Sequence, residues 1–321
     1  MSNTTPPYRI PAVLPRERVA LVALAIALIS ASLAVAAAKD GDVAALPPAL
    51  RPVAADLQRD SVARRTTAAF RLAKAATRFP QVEPLLIDTL GDHEIVPQWQ
   101  HPQQPWVHRV TSPGREAARG LVAIQANDAL LKVLGSGSRE ARQNAAWALA
   151  ALGDQRAVPV ILSRLWNPGF IEALGVLADP RGVQPLISEL GGNRAFEAAR
   201  ALRQMGSVAE PKLIEALRQQ RGRIRNQAAD ILGRLGAQAA GEALVEAARE
   251  GSLEAGEALL RIDPIEGASE MFTEKLNHED WRWRRTALAG LIHTGAEVDP
   301  ALLAERLNDS DNTVRGYAAR A

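Results

Sequence analysis

The chain has 321 residues, 38 of them basic and 36 acidic, with no cysteine and only 4% aromatics. The missing cysteine excludes disulfides, zinc–thiolate sites and cysteine nucleophiles. A net charge of +2 argues against a dedicated nucleic-acid binder, which needs a concentrated cationic face.

Residues 1–18 carry Pro6, Pro7, Pro11 and Pro15 and end in Arg16, Glu17 and Arg18. They are expected to form a cytoplasmic leader without fixed structure. Residues 19–38 then run for 20 positions without a charge. A helix rising about 1.5 Å per residue makes this run just long enough for a bilayer core of about 30 Å. Two readings are open: an uncleaved transmembrane helix, or a secretory signal cut after the small residues Ala36, Ala37 and Ala38. Arg9, Arg16 and Arg18 precede the run, whereas Lys39, Asp40 and Asp42 follow it. That positive-inside bias sends the remainder out of the cytoplasm under either reading. The chain is then membrane-anchored (periplasmic in a Gram-negative bacterium) or secreted after cleavage near Ala38. Residues 39–56, with Pro47, Pro48 and Pro52, read as a linker.

Residues 57–321 are repetitive. Pieces at 142–154, 195–207, 225–237, 252–263 and 284–295 align on a leucine and a helix-ending glycine or aspartate, with a weaker copy at 169–179. The aligned leucines are Leu149, Leu174, Leu202, Leu232, Leu259 and Leu291, about 28 residues apart. Within each piece alanine and leucine recur at three- and four-residue steps, the period of a helix face. Most pieces are followed by a proline-led aliphatic helix, as at Pro84, Pro159, Pro185, Pro211 and Pro300. Proline suits a first helical turn, whose N–H groups have no intrahelical partner. Neither helix of such a pair buries its apolar stripe alone, so neighbouring pairs must stack.

These features resemble HEAT-like repeats of the bilin-lyase type, within the HEAT and armadillo superhelical class. The resemblance rests on Val314, Arg315, Ala318 and Ala319, on Arg142 with Ala145 and Arg225 with Ala228, and on Leu152, Gly153 and Asp154. It covers about residues 114–321 well and 60–92 more loosely. It implies an all-α fold, an α-α superhelix following an N-terminal hydrophobic helix, and is nearly silent on chemistry.

The segment 278–285 alone suggests metal ligands or a nucleic-acid patch. Alignment with 307–321 places Arg284 on Arg315 and Trp283 on Val314. Arg284 is therefore expected to join Arg142, Arg225 and Arg315 in a structural ladder. His278, Glu279 and Asp280 form a turn that caps the next helix. Trp281, Arg282 and Arg285 are unaccounted for, either as a binding spot or as a half-buried tryptophan among solvated arginines.

Residues 92–114 break the period. They carry His93, His101, His108, Trp99 and Trp106 and read as an inserted, proline-rich loop. Deoxyhypusine hydroxylase, a HEAT-like enzyme, binds iron through His-Glu pairs inside its helices. Here His93-Glu94 and His278-Glu279 fall in turns and are too few, so that match fails.

The expected function is a non-catalytic protein-binding scaffold, without cofactor, metal or nucleic acid. The alternative is a lyase-like or metal-dependent enzyme using residues 92–114. Candidate contact residues are Trp99, Trp106, Arg164, Glu189, Glu215, Arg218, Glu246, Arg249, Trp281 and Arg282. The last half-repeat, with Val314 and Ala318, is expected to lack cover, which makes it a candidate for self-association.

Overall fold

The structure, a computed structural model, describes residues 42–321, apart from the side chains of residues 105–107. The leader at 1–18 and the apolar run at 19–38 lie outside the described residues. Among the described residues no helix is long and apolar enough to cross a membrane. The chain divides into two compact units, one reaching Thr89 and resuming at Glu94–Gly120, the other made of Leu90–His93 and Leu121–Ala321.

The first unit contains α1 (Arg51–Ala55), α2 (Val62–Ala75), α3 (Glu83–Thr89), β1 (Val96–His101), β2 (Gln104–Thr111) and most of α4 (Pro113–Ala123). Ala69, Leu72, Leu86 and Ala117 are fully buried among its helices. Gly120 allows close packing there, because a Cβ would come within 2.7 Å of Ala73.

The inserted segment is not a loop. It folds as an antiparallel hairpin pairing Trp99 with Arg109 and Gln100 with His108. Pro97 and Pro105 hid this in the sequence. In a two-stranded ribbon each strand has a free edge, so a missing N–H costs no ladder bond there. Trp99 is only 3% exposed, packs tilted against Phe70 with ring centroids 5.2 Å apart and donates Nε1–H to the Thr67 hydroxyl at 3.2 Å. Its indole fills the core beneath the hairpin, and this corrects its place among the contact residues. Behind it the buried Glu116 carboxylate accepts from Arg109, Arg119 and the Thr111 hydroxyl, each at 2.6 Å. The bonds from Arg109 and Thr111 tie β2 to α4, and the bond from Arg119, itself on α4, holds the carboxylate in place.

The second unit has two layers. First helices α6 (Arg139–Ala151), α8 (Pro168–Leu177), α10 (Ala195–Met205), α12 (Gly222–Leu235), α14 (Leu253–Leu259), α16 (Trp281–Thr294) and α18 (Asn312–Ala318) pack in succession. Second helices alternate with them: α5 (Asn127–Ser136), α7 (Val158–Leu162), α9 (Val183–Glu189), α11 (Glu210–Gln219), α13 (Gly241–Arg249), α15 (Ala268–Lys275) and α17 (Pro300–Leu307). All six aligned leucines are at most 2% exposed. Small residues set the spacing: a Cβ on Gly233 would lie 2.7 Å from the Ala258 backbone. Alanine on both faces permits this approach, which explains the alanine-rich, aromatic-poor composition.

The leucine–glycine alignment has a physical cause. Gly153, Gly236 and Gly295 adopt left-handed φ near +65°. The next residue's N–H then bonds back to the carbonyl of Leu149, Leu232 or Leu291, satisfying a helix-terminal acceptor. Ala178 takes the same turn at φ 50°, without glycine's freedom. The second helices begin slightly before their prolines: 3-10 turns at Gln155–Ala157 and Pro180–Gly182 lead into α7 and α9.

Val314 and Ala318 are 0% and 5% exposed, packed by α18 against α16 and α17. The expected uncovered face is absent, and with it the ground for self-association through those residues.

Candidate partner-binding crevice

Arginines dominate the turns, and most are engaged by the fold itself. Arg65, Arg284 and Arg315 each donate to the carbonyls five and six residues back. For Arg284 these are Glu279 at 2.8 Å and His278 at 2.9 Å. Arg65 makes both bonds at 2.9 Å, and Arg315 makes them at 2.8 and 3.1 Å. Arg284 also grips the buried Asp309 with two bonds of 2.7 Å, and Arg225 donates to Glu250 at 2.6 Å. The ladder expected for the repeat arginines is therefore present at these positions. A planar guanidinium suits the task, since its fork satisfies several acceptors at once.

A second device recurs three times. In Asp154-Gln155-Arg156, Asp179-Pro180-Arg181 and Asp280-Trp281-Arg282 the aspartate accepts from the arginine's backbone N–H and from its guanidinium. The carboxylate caps the following turn while the guanidinium closes over it. Hydrogen bonding from Arg156 holds Asp154 down at about 2, against desolvation. Arg282 does the same for Asp280, and Arg284 for Asp309, again to about 2. Asp179 is lowered by Arg181. Arg282 thus belongs to the cap, and Arg285 pairs with Glu257 at 2.6 Å while lying over the Trp281 ring at 5.6 Å. The Asp280 cap expected of the 278–280 turn is present.

One cluster follows neither rule. Arg139 and Arg142, on the first turns of α6, converge with Arg164 and Trp166, in the turn between α7 and α8. Asn167 and Phe170 floor the crevice, both buried. Trp166 is half exposed, and the Arg139 guanidinium lies 5.2 Å over its ring. Arg142 makes one long bond, 3.4 Å to the Ser138 carbonyl. Among the described residues no carboxylate lies within ion-pair distance of Arg139, Arg142 or Arg164. Arg194 donates to the Trp166 carbonyl at 3.0 Å, so the residue before α10 is tied to the turn that carries Trp166. Local structure fixes this placement. Ser138 caps α6 and Asn167 caps α8, so the two turns present their side chains in set directions.

Of the sequence candidates, only Arg164 lies here. Glu189 faces Arg194 at 3.7 Å, and Glu215 pairs with Lys212 at 2.6 Å, which lowers its pKa. Arg218 and Glu246 are exposed, and Arg249 makes a long bond to the Gly267 carbonyl. No hydrogen bond or ion pair among the described residues joins any two of these six. Trp281 is 40% exposed beside the capped turn, and the Trp106 side chain lies outside the described residues. Sequence reasoning missed Arg139, Arg142 and Trp166. The available signal was negative: Arg164 and Trp166 stand in a turn with no aspartate two residues before the arginine.

The alternative built on residues 92–114 loses its flexible loop. The His101 ring packs on Phe70 at 4.8 Å, and among the described residues no three metal-ligating side chains gather.

Stacked helix pairs with turn arginines and leucine–glycine helix ends resemble an array of HEAT-like repeats. Two pieces of the array, residues 141–165 and 195–219, match the family described as PBS lyase HEAT-like repeat. No curated protein matches. Among solved structures, the CpcE–CpcF complex of phycocyanin lyase from Nostoc is 22% identical, covering 68% of this chain and 90% of that one, with a TM-score of 0.35. An engineered protein is 20% identical over 85% and 87%, TM-score 0.39. Human deoxyhypusine hydroxylase is 19% identical over 77% and 96%, TM-score 0.28. At these values they are likenesses only. The family match corrects one expectation: a chain carrying repeats named for a lyase cannot be set down flatly as non-catalytic.

Proposed function

We propose that this HEAT-like repeat protein binds a protein partner, and that the crevice of Arg139, Arg142, Arg164 and Trp166 is its principal contact. The observation that supports this is the convergence of three guanidiniums without carboxylates on a half-exposed tryptophan. Arginine and tryptophan are the residue types most enriched at binding hot spots. The matched repeat at 141–165 contains two of the three arginines. Affinity capture with the full chain tests the reading. A stoichiometric protein that is retained by the native chain and lost on changing Arg139, Arg142 and Arg164 to glutamine supports it. Equal capture by both chains refutes it.

A second reading, lyase-type chemistry, is favoured by the description of the matched repeat. It is tested by adding the full chain to a bilin and a candidate acceptor protein. Bilin absorbance that stays with the acceptor after denaturation supports it.

The uncharged run at 19–38, with basic residues before it, supports placing the repeats outside the cytoplasm on a membrane anchor or after export. Protease digestion of spheroplasts before and after detergent lysis tests this: repeats degraded only after lysis would count against export.

A further inference from the structure

From the crevice we infer the chemistry of the partner, an inference that rests on the protein-binding reading above: it takes an acidic segment of a protein chain, with an apolar residue beside the carboxylates. Three features converge on this class. The charge comes first. Arg139, Arg142 and Arg164 bring three cations together, and among the described residues none has a carboxylate within ion-pair distance. Five other arginines at the turns and helix starts of the described residues are instead closed by a carboxylate, at Asp154, Asp179, Asp280, Asp309 and Glu250. The open guanidiniums have the fork geometry that carboxylates satisfy in pairs of bonds.

Size comes second. The cavity volume is only about 20 Å³, room for one water-sized group. Small-molecule pockets run to about 300 Å³ or more. A cavity this small suits the end of a side chain reaching in from a larger body. Apolar exposure comes third. Trp166, 50% exposed, lies against the arginines, with the Arg139 guanidinium 5.2 Å over its ring. An aromatic or aliphatic side chain on the partner would cover it. The whole-chain balance of 38 basic to 36 acidic residues weighs against a polyanion such as RNA, which would need cations along its backbone.

The probe is a fluorescein-labelled synthetic dodecapeptide of glutamate and aspartate with one central phenylalanine, titrated with the full chain and read by anisotropy. A control peptide replaces every acid with its amide. The acidic peptide should bind, and the amide peptide should bind about tenfold more weakly or not at all, from roughly three screened ion pairs. Changing Arg139, Arg142 and Arg164 to glutamine should remove that difference. Changing them to glutamate should transfer binding to a lysine peptide of the same design, a gain that misfolding cannot produce. Equal binding of acidic and amide peptides, no binding of either, or failure of the glutamate variant to take the lysine peptide would each overturn the inference. If the amide peptide binds as well as the acidic one while native-partner capture still depends on the three arginines, only the acidic character falls. If capture is also independent of them, the protein-binding reading falls with it.

Discussion

The turn before α16 and the turns around Trp166 use the same residues to opposite effect. Each sets a part-exposed tryptophan among arginines. At the start of α16, Asp280 holds Arg282, Asp309 holds Arg284 and Glu257 holds Arg285. Around Trp166 no carboxylate of the described chain approaches Arg139, Arg142 or Arg164. The lesson is that arginine and tryptophan do not mark a surface for binding by their presence. What distinguishes the two places is whether the fold supplies the counter-charge.

That contrast breaks first in stability. Changing Arg284 to glutamine leaves the buried Asp309 carboxylate with its main partner gone. Urea unfolding should show a loss of about 3 kcal/mol, as for other broken buried pairs. The same change at Arg164 should stay within about 0.5 kcal/mol. Comparable losses at both positions would erase the distinction.

Acid sharpens it further. Asp154, Asp280 and Asp309 have folded-state pKa values of about 2, below the ordinary 3.8. Protonation therefore favours the unfolded chain. Their stabilisation is complete above about pH 5 and is lost as the pH falls towards 2. Native stability followed by circular dichroism should fall over that window, and the Asp309→Asn variant should show a shallower fall. A native chain with flat stability from pH 5 to 2 would contradict the pairing.

A smaller effect is expected at the cap. Replacing Asp280 with alanine removes the N-cap of α16 and should cost about 1 kcal/mol in the same unfolding assay. The smallest effect tests the helix ends rather than the charges. Ala178 occupies a left-handed position that Gly153, Gly236 and Gly295 fill elsewhere. Ala178→Gly should stabilise the chain by up to about 1 kcal/mol in thermal unfolding.

The repeat was legible because its physics is local. Helix periodicity, a left-handed glycine and a proline in the first turn all act within a few residues, so they leave a fixed spacing in sequence. Arg284 could be assigned by alignment with Arg315 for the same reason. The hairpin was less legible: its prolines suggest a loop, and its core residue Trp99 is buried by Phe70, 29 positions away in sequence. The crevice was least legible. Arg139 and Trp166 meet across 27 positions, and what marks them is the lack of a partner, which only three-dimensional placement reveals. The Asp-x-Arg caps at 154, 179 and 280 were in plain view, yet a guanidinium folding back two residues is not a periodic signal.

The most direct trial of this contrast is photo-crosslinking in cells from a benzoyl-phenylalanine placed at position 166 or, in a second strain, at position 281. Adducts to a protein from 166, abolished when Arg139, Arg142 and Arg164 become glutamine, with few or none from 281, are the result expected. Adducts from 281 alone, or adducts from 166 that ignore the three arginines, would contradict it.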